Sequence, residues 1–182
     1  MKTEIRVEII KNKNLSKAEK DIINNARARE WEKGERKDFG KDYEPDTEWF
    51  FVKRGNKIVS LGGLRPIKIK YLGKTYNIGG ICNTISLEKD KGFGTILISF
   101  MIDYSHRTGK TLLGFTTQTE FFKKAGLNTK KDFIKRFVYI NPKTKEKVYD
   151  DVGDGIYYNG KDNFVKKVLL TKSPVYINIQ HW

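Results

Sequence analysis

The chain has 182 residues, a formal net charge of +14, and 38% hydrophobic against 32% charged residues. That length fits one domain, 1–182, able to bury its own core, and its three Trp, nine Tyr and eleven Phe exclude a disordered chain. The one cysteine, Cys82, and two histidines, His106 and His181, leave no intramolecular disulfide and no typical zinc site, so no metal is expected.

No apolar run approaches the ~20 residues of a membrane span. The opening Met1-Lys2-Thr3-Glu4 lacks the apolar core of a signal peptide. A cytoplasmic protein without a membrane partner is the expectation. The lysines are spread along the whole chain. A solvated basic surface explains them first, with nucleic acid, an acidic membrane surface or a polyanionic cofactor as the other readings.

In chain order, Ile5 to Ile10 alternates as a strand. Ser16-Lys17-Ala18-Glu19 is a capping box that starts a helix running towards Trp31. Residues 33–47, charged and broken by Gly34, Gly40 and Pro45, read as a mobile loop or a broken second helix. Glu48 to Lys53, Lys57 to Leu64, Ile67 to Leu72 and Tyr76 to Leu87 then read as an antiparallel meander, turned at Arg54-Gly55-Asn56 and Gly73-Lys74.

The pattern changes at Lys89-Asp90-Lys91-Gly92-Phe93-Gly94, a basic glycine turn that opens into a helix over 94–107. The apolar strand Lys110 to Thr116 follows, and a strand after a crossover helix should lie parallel to its predecessor. Thr119 to Ala125 is a short helix closed by Gly126. Phe137 to Ile140 and Lys147 to Tyr149 flank a hairpin at Asn141-Pro142-Lys143; Asp162 to Leu169 reads as helix and Val175 to Ile179 as a last strand.

The turn is the most informative stretch. The first N–H groups of a helix have no internal partner and point at whatever sits there, and glycine lets backbone approach a phosphate closely. A diphosphate-bearing ligand is the expected occupant. A Rossmann turn would carry three glycines and come first in its domain, and a Walker loop would need Gly-Lys-Ser/Thr. Neither fits.

From Glu48 to Leu127 the order of elements resembles the GNAT N-acetyltransferase superfamily. Its pyrophosphate turn, Arg/Gln-x-x-Gly-x-Gly/Ala, is similar to Lys89-Asp90-Lys91-Gly92-Phe93-Gly94, with Lys89 in the first position. Its Phe-Tyr-x-x-x-Gly-Phe helix is similar to Phe121-Phe122-Lys123-Lys124-Ala125-Gly126-Leu127. The resemblance implies an α/β fold: a central mixed, mostly antiparallel sheet, splayed at a cofactor cleft and flanked by helices. It implies a cofactor-binding core at about 48–127, with 1–47 and 128–182 shaping the acceptor pocket. The activity implied is transfer of acetyl from acetyl-CoA to an amine by direct attack in a ternary complex.

On the same resemblance, backbone N–H groups of Thr84, Ile85, Ser86 and Leu87 hold the pantetheine. Those of Lys91, Gly92, Phe93, Gly94 and Thr95 hold the pyrophosphate. Lys89 and Lys91 reach the phosphates or are solvated surface charges, and Phe122 lines the donor site. The tyrosine that often protonates the leaving thiolate is Phe122 here, which has no proton to give, so Tyr157, Tyr158 or water would serve.

For handling the amine, the candidates are Asn83, mid-strand beside the splay, Glu48 at a strand start, and the C-terminal Trp182. Some aminoglycoside 2'-N-acetyltransferases likewise end on a Trp; the alternative for Trp182 is surface packing. Strand alternation puts one of Cys82 and Asn83 inward and the other outward. Cys82 reads as a packing residue, and His106 as a helix-end residue favoured by the dipole. His181 is a base if it faces the cleft, and Asp150, Asp151 and Asp154 are a turn or an attractor for a cationic amine.

The acceptor is a small amine or polyamine, an aminoglycoside-like compound or a protein amine. Two other readings stand beside this one. Phe122 raises a CoA-binding regulatory or sensing module with little catalysis. The +14 charge and the aromatics raise a nucleic-acid-binding protein, against which no recognisable reading motif is present.

Overall fold

The computed structural model describes residues 4–31, 36–151, 153–177 and 179. The chain divides into two compact units. One holds the chain through Arg65 together with Cys82–Met101; the other holds Pro66–Ile81 and the chain from Ile102 onward.

In the first unit, β1 (Ile5–Lys11) pairs antiparallel with β2 (Glu48–Arg54) over seven residues, from Ile5↔Arg54 to Lys11↔Glu48. β2 turns at Gly55 (φ +61°) into β3 (Lys57–Tyr71), paired from Arg54↔Lys57 to Glu48↔Leu64 with a bulge at Val52/Lys53. The far half of β4 (Lys74–Ser86) lies beside β3 in the same unit. Helix α1 (Lys17–Glu30) starts at the expected capping box: Ser16 Oγ accepts from the Glu19 N–H at 3.2 Å and Glu19 Oε2 accepts from the Ser16 N–H at 2.8 Å.

Trp49, Phe50, Phe51 and Val52 are all fully buried, because β2 is covered on both faces. Trp49 and Phe51 join Ile23 and Ala26 of α1 in one core cluster. Phe50 meets Phe100 edge-on at 6.3 Å, on the helix α2 (Phe93–Thr108) that follows the glycine turn.

In its described part, 36–47, the segment expected as a mobile loop or a broken helix is a loop, and a packed one. It forms no regular element, yet Phe39, Tyr43 and Thr47 are buried. Asn24 Oδ1 accepts from the Lys37 N–H at 2.9 Å and Asn12 Nδ2 donates to the Phe39 carbonyl at 2.6 Å. The rings of Phe39, Tyr43 and Trp49 lie 5.1–5.8 Å apart, centre to centre. Its polar backbone is satisfied by buried asparagines, by its own turns and by the chain after β1 rather than by a regular element, which no periodicity signals.

In the second unit the strands run β6 (Asn128–Lys130), β9 (Asp154–Tyr158), β5 (Leu112–Thr116), β4, β3, β10 (Val175–Ile177), β7 (Phe137–Ile140), β8 (Lys147–Tyr149). β5 is parallel to β4, as its position after a helix requires, through two partner pairs, Gly79↔Leu112 and Gly80↔Leu113. β10 is parallel to β7, and β7 and β8 form the expected hairpin. Short helices α3 (Thr119–Lys124) and α4 (Phe164–Leu169) complete this unit, whose core includes Ile67, Ile69, Tyr76, Phe133, Phe137, Phe164 and Val175.

Pro66 does not interrupt β3. The ladder to β2 ends at Leu64 and the partner from β10 appears at Lys70, so the missing N–H falls between the two pairings. The protein is thus a mixed α/β fold with a curled, mostly antiparallel mixed sheet flanked by helices.

Candidate functional site

The turn into α2 is built by β4, which ends at Ser86, and is held from below by β3. The Leu87 and Glu88 N–H groups both donate to the Val59 carbonyl, at 2.9 and 3.3 Å, and Ser86 Oγ donates to the Glu88 carbonyl at 2.9 Å. The Leu87 N–H, expected to serve pantetheine, is therefore engaged with β3. Asp90 (φ +59°) and Gly92 (φ +76°) both lie in the left-handed region, which reverses the chain sharply. A Cβ on Gly92 would meet nothing within 4 Å, so glycine is there for its conformation and the space beside it is open.

The first intrahelical bond of α2 runs from the Ile96 N–H to the Gly92 carbonyl at 3.1 Å. The N–H groups of Phe93, Gly94 and Thr95 thus precede any intrahelical acceptor. With the helix dipole behind them, they make an anion cradle of backbone alone.

The charges around the turn are mostly committed. Glu88 accepts from Lys57 at 2.7 Å and Arg54 at 2.9 Å. The Lys57 bond first, and then the Arg54, Lys57 and Lys91 charges, hold its carboxyl below the usual range despite some desolvation. Arg54 also lies 5.5 Å over the Phe93 ring. Lys89 pairs with Glu30 at the end of α1, at 3.0 Å. Lys91 is exposed and makes no ion pair among the described residues, which leaves it as the cation of the turn most open to a phosphate.

Behind the turn, β4 departs from regular alternation. Asn83 has φ +49°, left-handed in mid-strand. The expectation that Cys82 and Asn83 face opposite ways is overturned by this kink: both reach the side of α1 and the 36–47 segment. Cys82 is buried against Gly63, where a Cβ would stand 2.8 Å from its sulfur, in one cluster with Trp49 and Tyr43. Asn83 Nδ2 donates to the Tyr43 hydroxyl at 3.0 Å, and Asn83 Oδ1 accepts from Arg27 of α1.

Beside them Arg65 clasps Glu44 with two bonds, 2.9 and 2.8 Å, and its guanidinium lies 5.5 Å from the centre of the Tyr43 ring. Burial pushes the Tyr43 phenol up to about 12 and the Cys82 thiol up to about 11. Both keep their protons at neutral pH. Cys82 is accordingly a poor nucleophile and a packing residue.

Of the amine-handling candidates, Asn83 is at the heart of this cluster. Glu48 starts β2, in register between Lys11 and Leu64 and next to buried Trp49. Trp182 and His181 lie outside the described residues. Phe122 sits in the second unit on α3, buried edge-on against Phe121 at 5.0 Å. Tyr157 of β9 packs on the second unit's core, 6.4 Å from Phe133, and Asp154 accepts from the Asp132 N–H at 2.8 Å, a turn-bracing role.

Sequence reasoning missed Arg27, Tyr43, Glu44 and Arg65. The one signal that bore on the first three is the density of aromatic and charged residues over 27–49; Arg65, in β3, had none. Among the described residues no group of His, Cys, Asp and Glu could hold a metal ion, and no helix is long and apolar enough to cross a membrane.

No protein-family model matches the chain, and no curated protein matches it in sequence. Solved structures do match. A probable N-acyltransferase from Enterococcus faecalis V583 superposes with a TM-score of 0.57 at 16% identity, over 72% of this chain and 33% of that one. Escherichia coli ElaA gives 0.55 at 13%, over 86% and 100%. A Bacillus subtilis acetyltransferase in complex with CoA gives 0.54 at 17%, over 86% and 99%. The chain has the N-acetyltransferase fold. It spans a third of the Enterococcus protein and nearly the whole of the other two.

Proposed function

We propose that the protein is a GNAT-type N-acetyltransferase that moves acetyl from acetyl-CoA to an amine. The observation that carries this reading is the left-handed Gly92 turn at the start of α2, in a chain with the N-acetyltransferase fold. The cradle suits a diphosphate: three backbone donors at a helix start, open space over Gly92, and Lys91 alongside. The Bacillus subtilis neighbour, solved with CoA, supports an acyl-CoA as the ligand.

The thioester supplies an activated acetyl group, and the protein's part is to bind, orient and handle protons. The N–H groups of Phe93, Gly94 and Thr95, with Lys91 and Gly92, hold the pyrophosphate, while Lys89 lends charge from its pair with Glu30. Backbone around Thr84, Ile85 and Ser86 runs along the pantetheine, the Leu87 N–H being engaged by Val59. Asn83, fixed between Arg27 and Tyr43, orients the amine. Cys82, protonated and buried, forms no acyl-enzyme, which favours direct attack. Phe122 has no proton for the leaving thiolate, whose own pKa lies only modestly above neutral, so water completes that transfer.

The test is release of free CoA thiol from acetyl-CoA in the presence of a mixed panel of amines. Amine-dependent release above the rate of thioester hydrolysis is expected. Saturable binding of acetyl-CoA without transfer to any amine would instead favour the sensing module.

A further inference from the structure

The cluster behind β4 carries a charge that no described residue in it balances. Arg65 is matched by Glu44 through two hydrogen bonds. Arg27 has no such match: among the described residues it makes no ion pair. Its guanidinium donates to the neutral Asn83 amide and lies 5.4 Å from the centre of the Trp31 ring, and its Nε is buried with no hydrogen-bond partner. The nearest acid on its own helix, Glu30, is paired with Lys89.

The other described titratable groups of the cluster, Tyr43 and Cys82, keep their protons and are neutral. Among the described residues of the cluster, two guanidiniums against one carboxylate leave one positive charge, half-buried beside Asn83 and the Trp31 ring. Holding a cation there without a counter-charge costs free energy unless an anion completes it. A second donor points the same way. The Tyr43 hydroxyl accepts from Asn83 and its own proton has no acceptor among the described residues.

We infer that the acceptor is an amine that also bears a carboxylate, an amino-acid-like compound, and that Arg27 with the Tyr43 hydroxyl holds that carboxylate. This rests on the acetyltransferase reading, which it deepens by naming the substrate class. A carboxylate brings one negative charge to the one that is unbalanced, where a phosphate dianion would overshoot. Asn83 connects the two functions: its amide group is clamped by the same Arg27 and Tyr43 that would grip the acid, so the gripped carboxylate sets where the amine stands.

The test compares glycine, β-alanine and 4-aminobutanoate with their three carboxamides as acceptors from acetyl-CoA, in the wild type, Arg27→Gln and Arg27→Lys. The expected result is a preference of about tenfold or more in kcat/KM for at least one acid over its amide. Arg27→Gln should abolish that preference through KM, Arg27→Lys should keep part of it, and both should bind acetyl-CoA as the wild type does. A wild type that prefers amides or accepts none of the acids overturns the inference. So does an Arg27→Gln variant that keeps the preference, or one whose loss is in acetyl-CoA affinity.

A second titration, with 4-aminobutanoate alone, separates the two layers. Arg27-dependent binding of that acid in a protein that binds no acetyl-CoA would keep the anion site and remove the transferase reading. Binding that is indifferent to Arg27 would remove the anion site.

Discussion

Two regions of the first unit do comparable work by opposite means. The turn from Leu87 to Thr95 is backbone: two left-handed residues, a helix start, and side chains that are mostly exposed. The cluster of Arg27, Tyr43, Glu44, Arg65, Cys82 and Asn83 is side chain, drawn from α1, the 36–47 segment, β3 and β4, with Tyr43 and Cys82 buried and the other four partly so. A backbone site is local and survives the loss of neighbouring side chains. A side-chain site exists only while the core that aligns it is intact.

Substitutions should separate the two regions. The largest effect is expected from Trp49→Ala. Trp49 is fully buried, meets Tyr43 edge-on and Phe39 at a tilt, and donates to Asn12 at 3.3 Å. The cavity should cost about 4 kcal/mol in chemical unfolding, and the cluster should be lost with it. An unchanged unfolding midpoint would contradict the packing described.

Arg65→Gln comes next. It strands Glu44 half-buried, at about 2 kcal/mol after allowing for the partial exposure of the carboxylate. The variant also changes the pH profile. Burial opposes ionisation of Glu44, but the Arg65 bonds override it and hold its carboxyl below the ordinary 4.5. A depressed folded value means stability that is present above about pH 4.5 and is lost as the pH falls through the lower folded value. Arg65→Gln should flatten that acid limb in unfolding curves taken at a series of pH values; an unaltered limb would show the pair to be inert.

At the turn the effects should be smaller in stability. Gly92→Ala places a Cβ into open space at φ +76°, so strain alone is added, about 1 kcal/mol. Lys89→Gln removes an exposed pair with Glu30 and should cost no more than about 0.5 kcal/mol.

The same contrast explains what the sequence made legible. The strand–turn–helix order, Gly92 and the parallel β5 could all be read because each rests on local spacing or on the chirality of short connections. The capping box at Ser16 was likewise visible in four letters. The cluster was not, because Arg27 and Asn83, or Arg65 and Glu44, are paired by the fold across 56 and 21 positions of sequence.

Asn83 was singled out, but its left-handed kink, which brings it to the same side as Cys82, has no signature in alternation. The segment 36–47 misled for a related reason. Its charged, glycine-marked surface hid Phe39 and Tyr43, whose burial depends on asparagines 12 and 24 satisfying the backbone. β6 and β9 escaped notice, since Asn128–Lys130 is three residues long and Asp154–Tyr158 starts inside an Asp- and Gly-rich stretch.

The central claim is that the Gly92 turn binds the diphosphate of acetyl-CoA. Calorimetric titration of acetyl-CoA into the wild type, Gly92→Ala and Gly92→Asp tests it most directly. The account predicts saturable binding to the wild type, weaker binding to the alanine variant, and none to Gly92→Asp, where a carboxylate would stand in the anion's place. No binding to the wild type, or equal binding to Gly92→Asp, would contradict it.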